Sequence, residues 1–169
     1  AFDPLLGAWA EVASMSVARR YHAAAVIDGK IYVIGGLDAD GYFDTVEAYD
    51  PQADSWQQVA SMPDARHSHA AISMGGKIYV TGGHGNGDFT NTLTVFDPQA
   101  NTWTQLAGMG SARGDHASAV IGGKLYVFGG FSNSGERTAS VEAYDPISNT
   151  WAQVSDLTSA RDDLVAVAL

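Results

Sequence analysis

Short apolar runs alternate with polar, glycine-containing turns along the whole chain, and this pattern returns every 47 or 48 residues. In the first full repeat, Asp28-Gly29 separates two β-rich runs, which is the strongest short-range signal for a hairpin because that turn requires positive φ. Asp50-Pro51 marks a second turn, in which proline fixes φ. No copy contains a stretch of helical period. The strands predicted for this repeat are His22–Ile27, Lys30–Ile34, Thr45–Tyr49 and Trp56–Ala60.

The landmarks of the repeat keep their spacing from one end of the chain to the other. A period of this length is typical of solenoids and propellers, and four antiparallel strands form one propeller blade. We therefore predict an all-β propeller chain with about three and a half blades. Its parts are the end of a preceding blade (1–13), three full blades (14–60, 61–107 and 108–155) and the first strand of a further blade (156–169, with the strand itself at Leu164–Leu169). The landmarks are Trp9, Trp56, Trp103 and Trp151; Gly35-Gly36, Gly82-Gly83 and Gly129-Gly130; and Tyr49-Asp50-Pro51, Phe96-Asp97-Pro98 and Tyr144-Asp145-Pro146.

The order of these motifs resembles the kelch repeat. The resemblance covers essentially the whole chain and implies kelch-like four-stranded blades in a complete ring of six or more. Because an open stack of blades would expose apolar faces at both ends, three arrangements stay open: a fragment of a longer propeller, two copies that share one ring, or a small closed ring. The segments that carry the resemblance are Lys30-Ile-Tyr-Val-Ile-Gly-Gly36, Lys77-Ile-Tyr-Val-Thr-Gly-Gly83 and Lys124-Leu-Tyr-Val-Phe-Gly-Gly130.

Charge and composition exclude several classes of function. The formal net charge is −10 and only nine residues are basic, whereas a protein that binds a nucleic-acid backbone needs a basic face. No apolar run is long enough to cross a bilayer, so we predict no membrane insertion. The chain has no cysteine, which excludes disulfides and thiolate chemistry. The compartment stays unknown.

Candidate binding residues lie at one end of the predicted blades. The loops 37–44, 84–91 and 131–139 abandon the repeat while the strands keep it, and loops on a rigid scaffold often carry function. The same end holds an arginine that recurs in every copy. The resemblance implies that partner peptides bind on this face, often through that arginine, although it could instead pair with a carboxylate or a backbone carbonyl of the scaffold. The predicted ligand-binding residues are Arg19, Arg66, Arg113, Arg161, Tyr42, His84, Phe89 and Arg137.

The sequence favours a non-catalytic interaction scaffold that binds a protein or peptide, with a carbohydrate as an alternative ligand. A carboxylate-bearing partner suits the arginines, because a guanidinium grips a carboxylate through two hydrogen bonds. No catalytic motif is present, and we predict no cofactor and no metal. The alternative is a kelch-like sugar epimerase with its site at the channel mouth. Its candidate acid and base residues are Glu47, Glu142, His22, His69 and His116.

Overall fold

Three four-stranded antiparallel sheets follow one another along the chain. The structure is a computed structural model that describes residues 1–168, and within these residues there is no helix. A short hairpin, β1 (Phe2–Asp3) and β2 (Ala8–Trp9), precedes the sheets. Blade 1 contains β3 (Ala23–Ile27), β4 (Lys30–Ile34), β5 (Val46–Asp50) and β6 (Ser55–Val59).

Blade 2 repeats this order and carries an extra hairpin in its second loop. Its strands are β7 (Ala70–Met74), β8 (Lys77–Thr81), β11 (Leu93–Asp97) and β12 (Thr102–Leu106), and the loop hairpin pairs β9 (His84–Gly85) with β10 (Asp88–Phe89). Blade 3 contains β13 (Ala117–Ile121), β14 (Lys124–Phe128), β15 (Val141–Asp145) and β16 (Thr150–Gln153). In each blade the strands lie side by side in chain order. The predicted all-β class and four-stranded blades are confirmed.

The turns follow the local chemistry of the sequence. Asp28 and Gly29 have φ of 51° and 75°, the conformation that a two-residue hairpin requires. At this same end of the blade, the Lys30 ammonium lies 3.0 Å from an Asp50 carboxylate oxygen. Equivalent ion pairs of 2.9 Å join Lys77 to Asp97 and Lys124 to Asp145. The recurring lysines and the Asp-Pro motifs therefore lie together at the turn end, opposite the loop end.

Tryptophan connects each blade to the segment that leads into it. The Trp56 Nε1–H donates to the Ala13 carbonyl oxygen at 2.8 Å, and Trp103 repeats this bond with Ala60 at 2.8 Å. The Trp103 ring also packs against the apolar cluster formed between blades 1 and 2, which includes Tyr32 and Phe96. These contacts give Trp56 and Trp103 a structural role.

The paired glycines allow neighbouring blades to approach through their backbones. Gly35 has φ of +58°, and a Cβ atom there would lie 2.6 Å from the Arg66 carbonyl oxygen and 2.8 Å from the His69 ring. The His69 and His116 rings therefore fill the junction with the preceding blade. Burial lowers the pKa of both histidines to about 3, so both are neutral at pH 7.

The two ends of the stack differ from the blades. The Phe2–Trp9 pair reproduces the Tyr49–Trp56 pair of a third and fourth strand, but Trp9 is 80% exposed. The strand predicted for 164–169 is not formed in its described part, 164–168. A strand exists through its pairing, and no described neighbour pairs with this segment; residue 169 lies outside the described residues. The division into blade segments otherwise stays a prediction.

Candidate binding face at the loop end

Backbone hydrogen bonds join the second loop of each blade to the loop that leads into the next blade. The Gly36 N–H donates to the Arg66 carbonyl oxygen at 2.9 Å, and the Arg66 N–H donates to the Phe43 carbonyl oxygen at 3.1 Å. The loop before the first strand of blade 2 thus rests on the second loop of blade 1. These contacts recur at blade 2, where the Gly83 N–H donates to the Arg113 carbonyl oxygen. The loop end is therefore one continuous face.

Two of the predicted arginines are buried beneath this face. The side chains of Arg19 and Arg113 are 1% and 0% exposed, and each places Nη2 at 2.7 Å from a glutamate oxygen, of Glu47 and Glu142 respectively. Arg113 also donates to the Gly129 carbonyl oxygen at 2.8 Å. The scaffold role considered for these arginines is the one that the contacts support, because guanidinium groups in this position do not reach a ligand on the surface.

The third recurring arginine, Arg66, is also buried but lacks such a glutamate. Its Nη1 donates to the Gly82 carbonyl oxygen at 3.0 Å and to the Thr92 hydroxyl at 2.7 Å. Its Nη2 lies 3.5 Å from an Asp64 carboxylate oxygen. Thr94 stands where the neighbouring blades have glutamate, and its buried hydroxyl has no hydrogen-bond partner among the described residues.

The remaining two arginines lie on the surface near the C-terminal segment. Arg137 is exposed, and its Nε lies 2.6 Å from an Asp162 carboxylate oxygen. Arg161 is exposed and bonds to the Ser159 hydroxyl at 2.6 Å. The structure therefore does not bring the four recurring arginines together into one site. Their contact with a ligand stays a prediction, and these two are the accessible members.

Three other predicted residues, Tyr42, His84 and Phe89, do lie together. The Tyr42 and His84 rings are 5.9 Å apart between centroids, and the His84 and Phe89 rings are 5.1 Å apart. His67 lies between them, 4.9 Å from Tyr42 and 5.1 Å from His84. Tyr21 and Phe131 extend the row at 5.9 Å from His67 and 6.0 Å from Phe89. We call this row the aromatic stripe: Tyr21, Tyr42, His67, His84, Phe89 and Phe131.

The loops that carry the stripe are fixed to one another. The Asn133 side chain accepts from the Phe89 N–H at 2.8 Å and donates to the Phe89 carbonyl oxygen at 3.1 Å. The Phe89 ring lies over Gly114, where a Cβ atom would come within 2.7 Å of ring carbon Cδ1. His67 and His84 exchange backbone hydrogen bonds of 3.0 and 2.8 Å. The stripe is therefore held in place by contacts that cross three blades.

Sequence reasoning missed Tyr21, His67 and Phe131 as members of this site. The sequence holds a signal for Tyr21 and His67. They occupy the two positions between the recurring arginine and the recurring histidine, and these positions differ in each copy. Backbone bonds connect them from blade to blade: the Ser68 N–H donates to the Tyr21 carbonyl oxygen at 2.9 Å, and the Asp115 N–H donates to that of Ser68 at 2.9 Å. The four variable pairs are Arg20-Tyr21, His67-Ser68, Gly114-Asp115 and Asp162-Asp163.

The surroundings of His67 favour the neutral form of its imidazole. Partial burial, and then the neighbouring His84, lower the pKa of His67, while Asp115 acts in the opposite direction. A neutral imidazole beside Tyr42 and His84 can stack and can either donate or accept a hydrogen bond.

Four of the five residues proposed for epimerase chemistry are buried, and only His22 is exposed. Glu47 and Glu142 are 3% and 4% exposed and are paired with Arg19 and Arg113. His69 and His116 are buried between blades, so neither is available to a substrate at the channel mouth. The epimerase hypothesis stays a prediction that these candidates do not support.

Among residues 1–168, no group of three or more His, Asp or Glu side chains is arranged to hold a metal ion. Asp38, in the acidic loop of blade 1, accepts hydrogen bonds from the Asp40 and Gly41 N–H groups. No helix in the described chain is long and apolar enough to cross a membrane.

Comparison with known proteins identifies the family. The model of the KLHDC2/KLHL20/DRC7 Kelch-repeats domain matches residues 18–161, which include all three blades and the whole aromatic stripe. The chain belongs to the kelch-repeat family. Its kelch blades also match a solved structure, that of YjhT, with a TM-score of 0.81 and 23% sequence identity over 92% of this chain and 57% of that one. At this identity the likeness shows the fold alone.

Curated kelch proteins match over shorter stretches. An F-box/kelch-repeat protein of Arabidopsis thaliana is 49% identical over 37 residues, which are 22% of this chain and 8% of that protein. Human Kelch-like protein 4 is 42% identical over 48 residues, 28% of this chain and 7% of that protein. The chain therefore spans a small part of these relatives and just over half of YjhT.

Proposed function

We propose that this kelch chain is an interaction scaffold that binds a protein or peptide partner through the aromatic stripe. The single observation that carries this proposal is the stripe itself, which places six rings in contact across three blades. It lies at the positions where the repeat diverges. The strands beneath it keep the repeat, so a regular platform carries a surface that differs from blade to blade.

The chemistry of the stripe suits a macromolecular partner. Tyr21 is 58% exposed and Tyr42 is 42% exposed, and tyrosines with an apolar ring and a polar tip dominate many interface hot spots. The Phe89 backbone is held by Asn133, so little conformational entropy is lost when a partner binds. Arg20 and Arg137 are exposed beside the loops, which favours an acidic segment in the partner.

A peptide-display selection against the full chain tests this proposal. We expect enriched peptides to lose at least tenfold in affinity for Tyr42→Ser and for Tyr21→Ser, because the exposed rings supply the contact area. The matched controls are Lys30→Glu and Lys77→Glu at the turn end, which should leave binding unchanged. Peptides whose binding depends on the lysine end would overturn the assignment, as would the absence of any enriched peptide.

Self-association that completes a ring stays a further part of the proposal. Apolar side chains on the first blade and the leading hairpin are exposed, including Val26 at 56% and Trp9 at 80%. Sheet faces of this kind are normally covered by a neighbouring blade. We expect this chain, prepared by itself, to have the solution mass of a dimer, and a stable monomer would contradict ring sharing.

A further inference from the structure

We propose that Asn86, at the tip of the extra hairpin of blade 2, is a site of spontaneous deamidation and isoaspartate formation. The hairpin pairs β9 with β10 and carries Asn86 and Gly87 between Gly85 and Asp88. Because the reaction needs no bound partner, it stands or falls separately from the proposed binding function.

The reaction uses groups of two adjacent residues and water. The Gly87 main-chain nitrogen attacks Cγ of the Asn86 side chain, which closes a succinimide ring, and the Cγ–Nδ2 bond breaks. The side-chain nitrogen leaves as ammonia and takes up the proton that the Gly87 nitrogen loses. Water then opens the ring at either carbonyl carbon and gives isoaspartate or aspartate. Glycine hinders the attack least, because it has no Cβ atom.

The asparagines of the chain differ in the residue that follows them and in what their side chains bind. Asn86 precedes a glycine, whereas the other four precede threonine or serine. The Asn91 amide donates to a main-chain carbonyl oxygen at 2.7 Å, and Asn101 and Asn149 accept main-chain N–H groups at 2.9 and 3.0 Å. Among residues 1–168, the exposed Asn86 amide makes no such hydrogen bond. It is therefore the asparagine whose side chain is free to turn toward its neighbour.

Asn133 occupies the same position in blade 3, the third residue after the paired glycines, but its side chain is held. Its amide bonds to the N–H and the carbonyl oxygen of Phe89 at 2.8 and 3.1 Å. The loop 131–139 is one residue longer than the loop 84–91, and it brings Asn133 against the preceding blade. The shorter loop of blade 2 instead turns at Asn86 itself. The two equivalent asparagines should therefore differ in reactivity.

The hairpin tip is exposed and weakly restrained. Asn86, Gly87 and Asp88 are all exposed, and no atom lies within 4 Å of the place where a Cβ atom of Gly87 would be. Asn86 and Gly87 have φ of 54° and 95°, the turn conformation of a two-residue hairpin. Asn86 must leave this conformation before the Gly87 nitrogen can approach its Cγ. Because β9 and β10 pair through two residues each, the tip can open while the blade stays folded.

Conversion changes both the charge and the main chain beside the aromatic stripe. Either product adds a carboxylate next to Asp88, in a chain whose formal net charge is already −10. Isoaspartate also routes the main chain through its own side-chain carbons, which lengthens the turn. His84 and Phe89 pair with each other at the base of the hairpin, so their backbone amides should report the change.

Peptide mapping by mass spectrometry of the full chain, incubated in its folded state in mildly alkaline buffer, tests the proposal. We expect Asn86 to be converted at least tenfold faster than each of the other four asparagines, with isoaspartate as the main product. Its rate should be less than tenfold below that of the chain unfolded in guanidinium chloride, because the fold restrains the tip little. A tenfold or greater slowing on folding, a faster reaction at another asparagine, or no conversion of Asn86 would each overturn the proposal.

Two variants separate this site from the rest of the chain. Asn86→Gln should remove the early release of ammonia and the isoaspartate, because the longer side chain must close a larger ring and reacts far more slowly. Asn149→Gln, the same change in a turn of blade 3, is the matched control and should keep the conversion at Asn86. The amide shifts of His84 and Phe89 should change with time in the wild-type chain and stay constant in Asn86→Gln. Isoaspartate that forms as fast in Asn86→Gln as in the wild-type chain would contradict the assignment.

Discussion

Blade 2 and blades 1 and 3 have the same strands in the same order, but their polar interiors differ. Blades 1 and 3 bury an arginine–glutamate pair, whereas blade 2 buries Arg66 and has Thr94 at the position of the glutamate. The backbone carbonyl that each arginine grips is the same, that of Gly35, Gly82 or Gly129. The arginine is therefore the constant part of the blade, and its carboxylate partner is exchangeable.

The exchange involves a backbone donor as well as a side chain. A buried carboxylate is tolerated only when its oxygens are paired, and the glutamates achieve this through the N–H of Ser16 or Gly110. Proline at position 63 removes that donor, and the glutamate is absent from the same blade. We infer that Pro63 and Thr94 belong together, because blade 2 lacks both the glutamate and the backbone N–H that would pair with it.

Removing the glutamate from blade 3 should cause the greatest loss of stability. Glu142→Thr copies the side chain of blade 2 but leaves Arg113 without its carboxylate and the Gly110 N–H without its acceptor. We expect a loss of about 3–5 kcal/mol in the free energy of unfolding, as for other broken buried pairs, measured by urea denaturation. Glu136→Thr, the same change on an exposed loop glutamate, should cost less than about 0.5 kcal/mol. Equal costs would show that the buried pair contributes nothing.

Acid should expose a second difference, between the buried histidines and the exposed His22 of blade 1. The folded-state pKa of His69 and His116 is about 3, below the unfolded value of about 6.5. Between these values the unfolded chain binds more protons, so stability is complete above pH 6.5 and falls as the pH decreases toward 3. Desolvation is the main cause, and nearby Arg66 and Arg113 add to it.

The expected size is about 2 kcal/mol per buried histidine at pH 5, from about 1.4 kcal/mol per pH unit. His116→Gln should therefore flatten the fall in stability between pH 7 and pH 5 in urea titrations. Burial also lowers the pKa of His22, but this residue is exposed, so His22→Gln should flatten the fall less. An identical slope in wild type and His116→Gln would show that this histidine is not neutral in the fold.

Introducing an arginine–glutamate pair into blade 2 tests whether position 63 supports a carboxylate at position 94. Thr94→Glu alone gives Arg66 its carboxylate, but the second oxygen lacks a donor at Pro63. The double change Pro63→Gly with Thr94→Glu recreates the arrangement of blade 3. We expect the two changes to couple by about 1–3 kcal/mol in a double-mutant cycle, with the double variant more stable than the sum of the singles. Additive effects would mean that position 63 does not serve the carboxylate.

The sequence was sufficient to predict the blades because each strand pattern recurs and each turn has its own chemistry. Asp28-Gly29 and Asp50-Pro51 indicate turns without any tertiary information, and in blade 1 the predicted strand bounds differ from the observed ones by at most one residue. Two short strands were not predicted, His84–Gly85 and Asp88–Phe89. They form a hairpin inside a loop, where there is no repeat to compare.

The candidate site was less predictable, for a physical reason. Recurrence predicts that the arginine has a role in every blade. It does not predict whether the guanidinium points to solvent, where it could bind a ligand, or into the blade. Burial of Arg113 depends on Glu142 and Gly129, which are distant in sequence and meet only after the strands pair. The grouping of Tyr42, His84 and Phe89 likewise depends on how neighbouring loops rest on each other.

The smallest expected effect concerns a tyrosine that blade 2 lacks. Tyr49 and Tyr144 donate their hydroxyls to Asp54 at 2.6 Å and to Asn149 at 2.8 Å, whereas blade 2 has Phe96 at this position. Its Asn101 carries the same positive φ, 53°, and already accepts the Ala60 N–H. Phe96→Tyr should therefore gain one hydrogen bond and stabilise the chain by up to about 1 kcal/mol, seen as a higher urea midpoint with an unchanged slope. Combining it with Asn101→Ala should abolish the gain. If Phe96→Tyr destabilises the chain instead, the space around position 96 differs from that of its neighbours, and the blades are less equivalent than their backbones indicate.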